Sequence, residues 1–305
     1  MSDNAFMGGR SRPYVGIILP NYGPALDAAT LVAATQAAEA SGFDSAWVTD
    51  HVAVSEKEAS VYGRISEALV TMGVLLAKTS RLRIGVSALI IPQREPVLTL
   101  KQLVSLDYLS GGRIIVAVAP GWVESEFNRL GAQFDGRGKR LDAWLDFATD
   151  AQRQMPGPIQ HAGSIAISGG WMAPAPARRG GIEFWIAGSG ALAVRRAARL
   201  GVWHPVALSH EQIRPLAEQL HAQRRDARVI LRISVRFADE PHPKGTDERG
   251  RHAIMGPRAW VAEQLRIYGE SGCDGFLIDL DIFKPGLPQR IHRFREEVLP
   301  VLVAT

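Results

Sequence analysis

Short runs of β-branched and other apolar residues alternate along the chain with longer segments in which apolar residues recur every three or four positions. The first pattern is that of a buried strand and the second that of one face of a helix, so their alternation predicts a parallel sheet with helical crossovers. The predicted strands are 14–19, 45–49, 82–90, 113–118, 182–187, 201–207, 229–237 and 275–280. Between them lie the helical stripes Leu31/Ala34/Ala38, Ile65/Leu69/Met72/Leu76, Val97/Leu100/Leu103 and Leu141/Leu145/Ala148. The stripes Ile213/Leu216/Leu220, Val261/Leu265/Tyr268 and Ile291/Phe294/Val298/Leu302 follow. Pro96 and Pro257 stand where helices begin, and Gly42, Gly111 and Gly272 where helices end. Eight β-then-α units predict a (β/α)8 barrel, an α/β TIM barrel, with a doubly wound sheet as the alternative. No linker divides the chain, so a single domain over 14–305 is expected behind a flexible tail, 1–13.

Two stretches break the rhythm: 155–181, rich in Gly, Pro and Ala, and 238–256, rich in charge, Gly and Pro. Long insertions in a compact domain are often functional, and these are expected as loops at the C-terminal face, candidate lids or else solvated surface.

Composition removes several classes. With 46% hydrophobic and 22% charged residues in 305, the chain can bury a sizeable core and is not a disordered one. A net charge of +4, with the basic residues spread along the chain, gives no nucleic-acid footprint. The one cysteine, Cys273, sits among apolar residues and reads as a buried small hydrophobe. No stretch has the roughly 18 apolar residues that cross a bilayer. A cytoplasmic protein with no nucleic-acid or membrane partner is expected.

In a barrel, chemistry comes from residues just after each strand. These are Pro20-Asn21-Tyr22-Gly23, Asp50-His51, Pro92-Gln93-Arg94, Ala119-Pro120-Gly121-Trp122, Gly188-Ser189-Gly190 and His210-Glu211. His51 is the leading acid/base candidate, because imidazole titrates near neutrality; the alternative is a structural histidine. Asp50 either orients it or caps the following turn. Gly188, Ser189 and Gly190 lie between an apolar run and a helix, where backbone N–H groups hold a phosphate. With Ala193 they also read G-x-G-x-x-A, but no acidic residue ends the next strand as a dinucleotide site requires. Trp47, Trp122, Trp171, Trp185 and Trp203 suit either a flat ligand or a core. There is no H-E-x-x-H, C-x-x-C, G-x-S-x-G or P-loop, so no metal site is expected.

Four ordered segments resemble one family: 42–51 (Gly-Phe-Asp-Ser-Ala-Trp-Val-Thr-Asp-His); 91–96 with Lys101-Gln102; Leu109-Ser110-Gly111-Gly112-Arg113; and Pro120-Gly121-Trp122 with Glu126-Phe127 and Leu130-Gly131. That family is the bacterial luciferase-like oxidoreductases, and the resemblance is strongest to members that use the deazaflavin coenzyme F420. It covers about 14–206 and thins beyond. It implies a TIM barrel with the cofactor ring over the mouth and its phosphate at Gly188, Ser189 and Gly190. It implies His51 beside the reactive face of the ring, and a non-proline cis peptide at Ser87-Ala88 behind it. Asp50, Ser87, Ala88, Ala119 and Gly121 are then the remaining cofactor-binding candidates, and Trp122 and Trp171 the substrate-binding ones. The chain departs from relatives in a shorter segment after His51, in Ala119-Pro120 where many have Gly-Val, and in Trp122 and Ser55 where the sugar-phosphate dehydrogenases have Glu and Trp. The implied activity is hydride transfer between F420 and a small organic molecule in a homodimer. An FMN-dependent monooxygenase and a non-catalytic cofactor-binding barrel are the alternatives.

Overall fold

The computed structural model describes residues 12–24 and 26–303. The expected tail, 1–13, lies outside the described residues except for Arg12 and Pro13. Arg12 is held there by two 3.0 Å hydrogen bonds from its guanidinium to the Asp44 carboxylate.

All eight predicted strands are present: β1 (Tyr14–Ile18), β2 (Ser45–Val48), β3 (Arg83–Ile90), β4 (Ile114–Ala119), β5 (Phe184–Ala187), β6 (Val202–His204), β7 (Arg228–Phe237) and β8 (Gly275–Asp279). They are hydrogen-bonded in chain order, and β8 pairs back onto β1 in parallel, so the sheet closes as a (β/α)8 barrel with flanking helices. Among the described residues, no helix is long and apolar enough to cross a membrane. Among the described residues two compact units are distinguishable: 12–20, 24, 26–47 and 185–303 form the first, 21–23 and 48–184 the second.

The core of the first unit is built on tryptophan. Trp47, Trp185 and Trp203 are fully buried, and the Trp47 and Trp185 rings lie 4.7 Å apart. Tyr14 sets its edge on Trp185. Large rings fill the space between small residues on neighbouring strands, and the polar tips need partners. Tyr14 Oη and Trp47 Nε1 both donate to Ser45 Oγ at 2.6 Å, and Trp203 Nε1 donates to the Gly188 carbonyl. Gly16 leaves the room: a Cβ there would fall 2.5 Å from Ser45 Oγ and 2.7 Å from Trp47 Nε1. His204, also buried, lies 2.6 Å from the Ile230 carbonyl through Nδ1. A carbonyl only accepts, so Nδ1 carries the hydrogen, and burial lowers the pKa to about 4 and keeps the ring neutral.

The same unit contains the segment 238–256. It folds back on β7, adding the short parallel strand Ala253–Gly256. Ser234 donates to the buried Asp247, Arg236 pairs with Glu248 at 2.8 Å, and Arg249 bridges Asp247 and Asp279 at 2.9 Å each. Arg251 adds a second basic partner to Asp247. Against the upward push of burial, these guanidinium groups hold the Asp247 carboxyl well below the usual carboxylate range.

In the second unit, the segment 155–181 is a hairpin and not the loop expected from its composition: Gly157–His161 pairs antiparallel with Ile167–Met172. Two helices escape the sequence pattern, Glu56–Tyr62 and Glu124–Arg129, because neither has the two full turns over which a stripe shows. Ile65 is not on the helical face predicted for it. The helix Ala68–Ala77 starts after the cap Glu67, and Ile65 bridges to Tyr22 instead. In the first unit the last stripe also divides, into Leu287–Glu297 and Leu299–Val303, since Pro300 cannot continue a helix.

Two glycines give opposite expectations. Gly16→Ala forces a methyl into Ser45 and Trp47 and is expected to destabilise by about 1–3 kcal/mol. Gly269, inside the helix Arg258–Glu270 with nothing near its missing Cβ, is expected to gain about 0.4–1 kcal/mol on mutation to Ala. Denaturant unfolding of both variants measures this, and a neutral Gly16→Ala counts against the packing described.

Candidate active site

The second unit brings the ends of β2, β3 and β4 to one cluster of polar and aromatic side chains. The chain leaving β2 is pinned by Asn21, whose Oδ1 accepts the Thr49 N–H and whose Nδ2 donates to the Thr49 carbonyl, both at 2.8 Å. Asp50 follows and is buried. One carboxylate oxygen accepts the Ile90 N–H at the end of β3, and the other accepts from Arg94 at 2.7 Å. Arg94 also reaches Glu67. Burial pushes the Asp50 carboxyl up, while Arg94 and the Ile90 N–H pull against it. Both oxygens of Asp50 are thus engaged in a strut between two strand ends.

His51 is buried too, at 5% exposure. Its Nδ1 lies 2.9 Å from Oε2 of Glu126, a side chain with no exposed surface. The other oxygen of Glu126 accepts the N–H groups of Val52 at 2.5 Å and Ala53 at 3.2 Å. Burial alone would raise this carboxyl. The hydrogen bonds from His51 and Val52, the His51 charge and the Gln93 amide outweigh it and hold the pKa at about 2. A carboxylate only accepts, so Nδ1 carries a hydrogen and Nε2 is the nitrogen left for chemistry. Among the described residues Nε2 has no hydrogen-bond partner. Aromatic rings surround the imidazole instead: Tyr62 at 4.3 Å, Trp122 perpendicular to it at 6.0 Å, and Tyr22 stacked on Tyr62 at 5.3 Å.

The other candidates in this unit divide. Ser87 is buried, and the Ser87-Ala88 peptide bond is cis as the resemblance implied; the pairing of β3 with β4 shifts register across it, between Val86 and Leu89. Ala119 ends β4 opposite Ile90. Gly121 has φ +84°, and a Cβ there would meet Ile90 at 2.7 Å and Phe127 at 2.8 Å, so only glycine fits. Trp122 is 61% exposed beside His51, whereas Trp171 is on the hairpin strand Ile167–Met172, opposite Pro158 and 73% exposed.

Gly188, Ser189 and Gly190 belong to the first unit. The Gly188 carbonyl is taken by Trp203, and Ser189 and Gly190 are exposed. Gly190 caps the helix Ala191–Leu200 with no side chain, no acid occupies its first turn, and nothing lies within 4 Å of its missing Cβ. Open space at an uncapped helix start suits a phosphate.

Glu126 and Tyr62 are functional candidates that residue-by-residue reading did not single out. Glu126 stood in the sequence only as part of a family segment, and its partner lies 75 residues away. Tyr62 sits in a seven-residue helix without a periodic signature.

A sequence model of the luciferase-like monooxygenases matches residues 18–262. The alkanal monooxygenase alpha chain of the Kryptophanaron alfredi symbiont is 29% identical over 119 residues, 39% of this chain and 32% of that relative. The chain thus spans about a third of that relative's length. Among solved structures, an F420-dependent secondary alcohol dehydrogenase in complex with an F420–acetone adduct superposes with TM-score 0.78 at 15% identity, covering 95% of this chain and 99% of its own. The oxygenating constituent of 3,6-diketocamphane monooxygenase from Pseudomonas putida, in complex with FMN, gives 0.74 at 14%, covering 95% and 98%.

A carboxyl depressed from 4.5 to about 2 contributes stability that is complete above the unfolded value and is lost as pH falls through the folded one. Glu126→Gln is therefore expected to remove about 3 kcal/mol of the stability that wild type loses between about pH 5 and 2. Urea unfolding across that range decides it, and parallel curves for the two proteins would dismiss the assignment.

Proposed function

The chain belongs to the luciferase-like monooxygenase family, and from that premise we propose an oxidoreductase that moves a hydride between coenzyme F420 and a small organic substrate, with His51 as proton donor or acceptor. The observation that carries this reading is the buried Glu126–His51 pair, which leaves Nε2 without a partner. A deazaflavin or flavin, when bound, supplies the two-electron chemistry that no side chain can.

The chain's own residues do the rest. Gly188, Ser189 and Gly190 would hold the phosphate end through open backbone at the start of Ala191–Leu200. Ser87, Ala88, Ala119 and Gly121 would take the ring end, where Gly121 presents bare backbone. Asp50 keeps the ends of β2 and β3 at fixed spacing through Ile90 and Arg94. Glu126 keeps the Nδ1 hydrogen in place, so that Nε2 is positioned to take a proton from a substrate hydroxyl in one direction and return it in the other. The FMN-dependent monooxygenase remains the second reading, because a flavin-bound relative shares this fold as fully as an F420-bound one.

Tryptophan fluorescence on titration with oxidised F420, FMN, FAD and NADP separates these readings. Tight binding of F420 alone supports the first, and preference for FMN the second. Failure of all four refutes both. With the cofactor established, His51→Ala is expected to keep its affinity and lose turnover by roughly 10²–10⁴-fold. Undiminished turnover would remove the role given to His51.

Gly190→Asp tests the phosphate assignment by placing a carboxylate at the helix start. Whichever of F420 and FMN binds the wild type is expected to bind more than tenfold more weakly, while its ring fragment lacking the phosphate is unaffected. An equal loss for both would move the phosphate elsewhere.

A further inference from the structure

We propose that Tyr62 and Trp122 select the substrate, and that it is an uncharged, flat cyclic alcohol or ketone. This rests on the oxidoreductase reading above. Any group that reaches Nε2 of His51 comes against the two rings that flank the imidazole, Tyr62 at 4.3 Å and Trp122 at 6.0 Å. The Trp122 indole is 61% exposed, so most of its surface is free for a ligand. Tyr62 is backed by Tyr22, which fixes one wall.

The charges of the cluster are already matched. Glu126 is satisfied by His51 and by the Val52 and Ala53 N–H groups, and Asp50 and Glu67 share Arg94. A charged substrate group pressed against these rings would lose water without finding a counter-ion, which is unfavourable. Arg137 is a cation near this segment, and its Nε is bonded to the Gly121 carbonyl while its guanidinium lies over Phe134, 3.7 Å from the ring centroid. Flat apolar rings, in contrast, gain from edge and face contact with Tyr62 and Trp122.

Calorimetric titration of the full chain with acetophenone, 4-acetylbenzoate and 2-butanone tests this. The three share a ketone; the second adds a charge and the third lacks the ring. Acetophenone is expected to bind at least tenfold more tightly than either of the others. Trp122→Ala and Tyr62→Leu should each reduce that preference about tenfold with unchanged melting temperature, since neither residue is buried. Absence of acetophenone binding, or equal affinities in wild type and Trp122→Ala, overturns the proposal. So does tighter binding of 4-acetylbenzoate that disappears in Arg137→Met. The measurement is of affinity and not turnover, so it separates the two readings. Ring selectivity retained in a His51→Ala protein with undiminished turnover would sink the acid/base role alone.

Discussion

A carboxylate with no exposed surface must be surrounded by donors, and Glu126 meets that requirement with an imidazole and two backbone N–H groups. Much of the site's order follows from this constraint. The Val52 and Ala53 N–H groups fix the chain after β2 against the helix Glu124–Arg129, and the imidazole is fixed in tautomer and orientation. Asp50 does the same toward β3 through Ile90 and Arg94. Two acids adjacent in space to one histidine therefore have different duties, one holding strands in register and the other holding a proton in place. The adjacent position in sequence, Asp50 beside His51, belongs to the strut; the proton-holding partner comes from far along the chain.

The first unit uses charge differently. Around Asp247 the partners are arginines and a serine, and they fasten the segment 238–256 to β7 and β8. Desolvating so many charges is costly, and the mesh is favourable because every carboxylate meets a guanidinium at close range. A segment that composition marks as a candidate lid is thus anchored at its centre.

The barrel was legible because its eight strands are dense in Val, Ile and Ala and are separated by full-length helices with clear stripes. Elements too short or too polar for periodicity were not: the helices Glu56–Tyr62 and Glu124–Arg129, and the hairpin Gly157–His161 with Ile167–Met172, whose Gly, Ser and Pro content resembles a loop. The same limit governs the site. His51 stands out because it follows a strand, and Gly121 because it follows another. Glu126 is invisible until the fold brings together the segments that follow β2 and β4, since no local spacing connects it with His51. Ile65 shows the converse, an apolar residue in phase with a helix but claimed by a bridge to Tyr22.

None of the seven residues of Glu56–Tyr62 is buried, yet Tyr62 stands 4.3 Å from the imidazole. Changes along that helix therefore fall outside the packed interior that determines whether the barrel folds. A lineage can rewrite the surroundings of His51 there without losing the scaffold, so the wall beside the imidazole is also among the parts of the protein freest to diverge.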